Sequence, residues 1–195
     1  MAIDLKVVLL GNTEVGKTCI VNRYITGRFS STTVTTVGAA YASTTRRIDN
    51  KEMTVGIWDT CGMEKYESIS KIYYRGARVA FVCYDLTNAT TFRKHAAFWV
   101  EELKKNVSDC IIFLVGTKAD LLAEKTRGVP ETEVQSYANS IGAQCMETSS
   151  VTGQGVNDLF DQAMREFIKA GGKVGVGAQG KANLSDDTGN SGCSC

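Results

Sequence analysis

Neither sign of charge is in excess in this 195-residue chain: 22 Lys and Arg face 21 Asp and Glu, a net charge of +1. That balance excludes nucleic acid as a bulk electrostatic partner. Long apolar runs are also missing. The longest, Val79 to Tyr84 and Ile111 to Val115, fall far short of the ~20 residues a membrane-spanning helix needs. Histidine occurs once, as His95, expected to be solvated on the polar side of a helix; the sequence offers no motif that would make it catalytic. There is no CxxC or Cys/His metal spacing in the body, so structural zinc is unsupported. Internal repeats are absent. Met1-Ala2-Ile3-Asp4 is expected to begin no signal peptide, and Ala2 cannot be myristoylated as a Gly would be. The seven cysteines are odd in number and scattered through apolar segments, which suits a reducing cytosol better than a disulfide framework. Cys19 and Cys61 read as small packed thiols, although Cys19 starts a helix, where a thiol pKa can fall.

What remains is an ordinary soluble composition, 43% hydrophobic and 22% charged, over about one domain of the usual ~150 residues. The chain divides near residue 170. Residues 171–195 hold seven Gly and no aromatic or Ile, too little apolar surface to offset ordering entropy. They are expected to form a flexible tail with a reach of roughly 25–30 Å. In the body, Leu5 to Leu10, Thr54 to Trp58, Val79 to Tyr84, Ile111 to Val115 and, more weakly, Gln144 to Met146 read as strands buried on both faces. Helical stretches lie between them at Thr18–Thr26, Thr91–Lys105, Glu131–Ser140 and Asn157–Lys169. This alternation predicts an α/β fold with a parallel sheet covered by helices, and ligands beyond the carboxyl ends of its strands. Tyr41 to Arg47 alternates like an edge strand, with antiparallel pairing to the next segment open.

The end of the first strand carries the strongest signal. Gly11-Asn12-Thr13-Glu14-Val15-Gly16-Lys17-Thr18 fits GxxxxGK[ST], the phosphate-binding P-loop, with a strand before it and a helix after it. Backbone amides from Glu14 to Cys19 are expected to hold phosphate oxygens, with Lys17 reaching the terminal phosphates and the Thr18 hydroxyl ligating Mg2+. Gly116-Thr117-Lys118-Ala119-Asp120 follows a buried strand. There the Asp120 carboxylate can accept the ring N–H and exocyclic amine of guanine, a pattern adenine does not offer, and the Lys118 stem can lie against the base.

Together with Thr36, Trp58-Asp59-Thr60-Cys61-Gly62 and Glu147-Thr148-Ser149-Ser150, these motifs resemble the Ras superfamily of small GTPases over residues 5–170. Tyr73-Tyr74-Arg75-Gly76-Ala77 and Val82-Cys83-Tyr84-Asp85-Leu86-Thr87 resemble Rab signatures. Thr36 to Tyr41 is similar to the corresponding segment of endosomal Rabs, and the Thr-Lys and Glu-Thr-Ser-Ser pairings resemble an atypical, autophagy-associated Rab. The resemblance implies a P-loop small G-domain over residues 1–170, with a six-stranded, mostly parallel sheet and helices on both faces, followed by a hypervariable tail over 171–195. It implies GTP and GDP with Mg2+ as ligands. Implied partners are an exchange factor, a GTPase-activating protein, a GDP-dissociation inhibitor and effectors, all acting on a monomeric domain. The nucleotide set it implies is Thr13, Glu14, Val15, Gly16, Lys17, Thr18, Cys19, Phe29, Thr36, Gly62, Thr117, Lys118, Asp120, Ser149 and Ser150. Of these, Phe29 packs against guanine and the Ser150 amide meets its oxygen. Thr18, Thr36 and Asp59 form the Mg2+ set, and Lys17, Thr36 and Gly62 carry catalysis.

Three departures stand out. Met63 occupies the position of the Gln that orients the attacking water; a thioether has no donor, so intrinsic hydrolysis is expected to be slow. Thr117 and Val151 replace an Asn and a Lys around the base, which is expected to weaken guanine binding. Tyr41 replaces Phe in an aromatic triad with Trp58 and Tyr73. The terminus Gly192-Cys193-Ser194-Cys195 resembles the Cys-X-Cys end on which Rabs carry two geranylgeranyl groups. Since Lys173 and Lys181 are offset by Asp186 and Asp187, no polybasic patch assists, and stable anchoring needs two lipid chains. The expected location is the cytoplasmic face of intracellular membranes, endosomal or autophagic, with a cytosolic pool. The alternative is an essentially non-hydrolysing GTP-bound adaptor of the same fold. A P-loop kinase or ATPase is disfavoured by Asp120 and by the lack of a lid segment.

Overall fold

A computed structural model describes residues 2–32, 35–62 and 67–174, with side chains left undescribed at 67–70. Met63, Cys193 and Cys195 lie outside the described residues. Six strands form one sheet: β1 (Leu5–Leu10), β2 (Ala39–Ile48), β3 (Lys51–Thr60), β4 (Val79–Asp85), β5 (Ile111–Thr117) and β6 (Gln144–Glu147), in the order β2-β3-β1-β4-β5-β6. All neighbours are parallel except β2 and β3, which pair antiparallel from Ala39↔Thr60 to Ile48↔Lys51. The edge position of Tyr41–Arg47 is thus borne out. Its antiparallel pairing is set by a two-residue turn whose Asp49 and Asn50 both take positive φ, 45° and 63°.

Five α-helices, α1 (Lys17–Thr26), α2 (Glu67–Tyr74), α3 (Ala97–Asn106), α4 (Glu131–Ile141) and α5 (Val156–Lys169), cover the two faces. The period of two in β1 sorts its side chains cleanly. Leu5, Val7 and Leu9 enter the core beneath α1 and α5, while Val8 and Leu10 enter the one beneath α3 and α4. In the first core Phe81 stands edge-on to both Phe113 (5.7 Å between centroids) and Phe160 (5.1 Å), and Phe160 stacks on Tyr24 at 3.7 Å. One strand side chain thereby joins β4, β5 and α5, and through Phe160 it reaches α1.

Two sequence expectations are corrected. His95 is buried, at 9% exposure. It lies three residues after Phe92 and four before Trp99, on the apolar side, and the first turn of this helix, Thr91–Ala96, is a wide π turn in which the Ala97 amide reaches back to Phe92 O. Of the segment read as flexible, residues 171–174 fold back: Gly172 lies against the Phe167 ring and Val174 packs on the core. Among the described residues no helix is long and apolar enough to cross a membrane.

Phe81→Ala is expected to lower unfolding stability by about 3–5 kcal/mol, read from urea denaturation at saturating GDP, because it opens a cavity under three elements at once. A loss below about 1 kcal/mol means that the aromatic junction does not hold the sheet to α5.

Candidate functional site

The carboxyl ends of β1, β3, β4, β5 and β6 open onto one side, and a cleft of about 250 Å³ lies there. Thr13, Glu14, Gly16, Lys17, Thr18, Cys19, Phe29, Thr36, Gly62 and Lys118 line it, ten of the residues singled out from sequence. Ser30, Ser31, Thr35 and Thr60 line it too and were not anticipated. Phe29 is 39% exposed at the rim, an aromatic that apolar burial alone would not leave there. Val15 contributes backbone only, since its side chain is 1% exposed in the core.

Lys17 opens α1, directly after Gly16 in the left-handed region (φ 97°), and is 5% exposed. Its ammonium donates to Gly11 O at 2.9 Å and Asn12 O at 2.8 Å, so the cation is held by the loop that wraps it. Burial pushes its pKa down, opposed by Cys83, Asp59 and Cys61 nearby. Cys83, beneath the loop, is an inert thiol pushed up to about 12 by burial.

Thr18, Thr36 and Asp59 converge from three separate segments. The Thr18 hydroxyl donates to Asp59 Oδ2 at 2.6 Å, and Thr36 Oγ1 sits 2.8 Å from Thr18 Oγ1 and 3.3 Å from the same carboxylate oxygen. Asp59 is 2% exposed, and its other oxygen, Oδ1, is buried without a hydrogen-bond partner. Burial pushes its pKa up, against the hydrogen bonds of Thr18 and Thr36 and the charge of Lys17. An orphaned buried carboxylate oxygen beside two hydroxyls fits a hard divalent cation. A single carboxylate suits Mg2+, which keeps waters and substrate phosphates as its remaining ligands. Gly62 approaches the loop so closely that a Cβ would overlap the Thr13 backbone nitrogen.

Asp120, Ser149 and Ser150 do not line that cleft; Asp120 lies in a 3-10 turn (Ala119–Ala123) just after β5 and accepts the Ser149 hydroxyl at 2.5 Å. The Ala119 amide donates to Thr148 O, and the Thr148 amide to Gly116 O, which ties the loops after β5 and β6 into one unit carrying Ser150. Lys118 adopts a left-handed conformation (φ 60°) that side chains rarely take, and its ammonium pairs with Asp85 Oδ2 at 2.8 Å. Although burial pushes the Asp85 pKa up, the bonds from Lys118 and Thr87 outweigh it and hold the carboxyl below its usual range. Asp85 was quoted only within a signature; its position at the end of a buried strand was the available clue. Thr117 departs from expectation. Its side chain is 2% exposed and turned into the protein, so its hydroxyl does not face the cleft.

Tyr41, 54% exposed, lies 4.9 Å from Trp58 across the β2–β3 pair, and the Tyr73 hydroxyl lies beside Gly38. Lys6 covers the Trp58 ring at 4.4 Å.

A strand, a phosphate-type loop wrapped round a buried lysine, and a carboxylate-hydroxyl cluster define a P-loop nucleotide-binding protein. The model of the Ras family matches residues 6–169, and the chain belongs to that family. Its relatives place it in the Rab branch. Ras-related protein Rab-24 of Dictyostelium discoideum is 47% identical over 168 residues, 86% of this chain and 82% of its own. Ras-related protein Rab5A of Oryza sativa subsp. japonica is 39% identical over 167 residues, 85% of this chain and 81% of its own. The chain is therefore a GTP-binding small GTPase of the class active in membrane trafficking. Rab proteins in general bind GTP and GDP with Mg2+, meet exchange factors, activating proteins, dissociation inhibitors and effectors, and sit on intracellular membranes.

Asp59→Asn separates the metal role from a structural one. An acid whose folded pKa is raised costs stability once ionised, above that pKa, so removing its charge is expected to leave the metal-free protein equally or more stable at neutral pH. In Mg2+, the same substitution is expected to speed GDP release about tenfold or more. Thermal melts in EDTA and fluorescent-GDP release in Mg2+ read the two effects. A loss above about 2 kcal/mol in EDTA marks Asp59 as a hydrogen-bond hub of the fold instead.

Proposed function

We propose that this chain is a guanine-nucleotide switch on endosomal or autophagic membranes that hydrolyses GTP slowly and therefore dwells in its GTP form. Lys17 and the backbone amides of Glu14 to Cys19 hold the phosphates, Phe29 packs on the base, and Asp120 selects guanine, with the Ser150 amide on its oxygen. Thr18, Thr36 and Asp59 hold Mg2+, which supplies charge neutralisation at the phosphates. The observation that carries this reading is the convergence of Thr18, Thr36 and Asp59, with one carboxylate oxygen left unpaired.

Thr36 and Gly62 belong to loops on either side of the cleft, before β2 and after β3. With GTP and Mg2+ bound, Thr36 would complete the metal's ligands and the Gly62 amide would meet the γ-phosphate. Loss of that phosphate removes both contacts and frees the two loops, which is the switch. The close approach of Gly62 to Thr13 supports this role, since only a residue without a side chain reaches the phosphate loop there.

Met63 follows Gly62 directly and offers no donor to hold a water. Single-turnover GTP hydrolysis by Met63→Gln is expected to exceed that of the unmodified protein by at least about tenfold, whereas Met63→Ser leaves it slow. Equal rates for the unmodified protein and Met63→Gln count against this account. Complete absence of turnover, with or without an activating protein, favours the adaptor reading, for which Met63 is the supporting observation.

Cys193 and Cys195 are proposed to carry two geranylgeranyl groups, with residues 175–195 as the tether. Replacing both with Ser is expected to leave GDP affinity unchanged and to move the protein from the membrane fraction to the cytosol. Persistent membrane association refutes the double anchor.

A further inference from the structure

Guanine presents donors on one edge and two acceptors, O6 and N7, toward its other edge. Asp120 can take the donors. For the acceptors, side-chain donors are scarce, because the hydroxyls of Thr117, Thr148 and Ser149, at the ends of β5 and β6, are each bonded within the protein. Thr148, fully buried, donates to Gly116 O at 3.3 Å, and Ser149 donates to Asp120 itself. Thr117 places Oγ1 2.5 Å from Val15 O and 2.9 Å from Tyr84 O. The Lys118 ammonium is engaged by Asp85.

A hydroxyl carries one proton, and that of Thr117 lies between two carbonyls, leaving none for a base. Val15 belongs to the phosphate loop and Tyr84 to β4, while Thr117 ends β5. A Cβ at Gly16 would lie 3.8 Å from Thr117 Cβ, so this side chain stands directly under the loop. An Asn at this position has two N–H donors and can serve a carbonyl and a base together; a Thr cannot.

We propose that Thr117 clamps the phosphate loop instead of contacting the base, and that the pocket reads the donor edge of guanine while leaving ring N7 unread. The ligand class therefore extends to guanine nucleotides altered at position 7. This inference rests on the guanine reading above. Thr117 is a positioning residue, acting on phosphates through the carbonyl of Val15.

The test compares GDP, 7-deaza-GDP (a C–H in place of N7) and ADP by competition binding to the full chain in Mg2+. The unmodified protein is expected to bind the two guanine ligands within about twofold of each other and ADP at least about a hundredfold more weakly. Thr117→Asn is expected to prefer GDP over 7-deaza-GDP by about fivefold, as a new donor finds N7. Thr117→Val is expected to weaken both guanine ligands equally, by about tenfold, and Thr117→Ser to restore them. A fivefold or larger preference for GDP in the unmodified protein, with ADP still rejected, overturns this inference and leaves the guanine reading standing. ADP binding as tightly as GDP overturns both. Unchanged affinities in Thr117→Val overturn the clamp. The unmodified comparison needs no variant to fold.

Discussion

A carboxylate buried almost completely, with one oxygen unsatisfied, is the constraint around which the rest of the site is arranged. Asp59 is the penultimate residue of β3, beside β1 and opposite Leu9, so its position is fixed by a parallel ladder within the sheet. Thr18 reaches it from the first turn of α1, and Thr36 from the segment ahead of β2. Burying that charge costs free energy unless something compensates it. Two hydroxyls and a lysine compensate only partly, as the raised pKa shows. The unfinished balance fits a cation, the role proposed for this cluster, and the hydroxyl contacts already hold Thr36 against it.

The sheet was legible wherever strands are buried on both faces. Leu5–Leu10 and Ile111 onward begin where their hydrophobic runs begin, because nothing but a central strand buries such runs. The β2–β3 hairpin extends beyond Tyr41–Arg47 and Thr54–Trp58, since its outer residues are polar and are held by ladder bonds and by the Asp49-Asn50 turn. The helix Glu67–Tyr74 escaped notice because only its last two residues, Tyr73 and Tyr74, were read, and those as the start of a motif. Its Tyr74 is buried while Ile72 is 71% exposed, so apolar character alone did not mark which side faces the core. His95 was misplaced because polarity was taken as a proxy for exposure, whereas its spacing from Phe92 and Trp99 puts it on the inner side.

The site divides along the same line. Its phosphate end is made of backbone, a glycine and a lysine in fixed order, and such local chemistry is written in consecutive residues. The base end depends on partners brought together by register. Asp85 meets Lys118 and Tyr84 meets Thr117 because β4 and β5 pair Tyr84↔Gly116 and Asp85↔Thr117. No spacing along the chain announces those pairs. The burial of Thr117, which turned a supposed base contact into a tether, follows from its place as the last residue of an internal strand.

On the proposed reading, binding and turnover are carried by different parts of this chain. The residues proposed to grip nucleotide stand on strand ends and on the first turn of α1, and they are anchored by bonds to Gly11, Asn12, Val15, Tyr84 and Gly116. Met63 instead falls in sequence between the end of β3 and the start of α2, and it is not among those residues. On that reading, a thioether in place of a water-orienting amide removes a hydrogen bond that matters in the transition state, while the anchors of the phosphate loop are made by other residues. A chain built this way can hold GTP while hydrolysing it slowly. The missing donor, on the same proposed reading, is what ordinary turnover needs, whether it comes from position 63 or from a second protein.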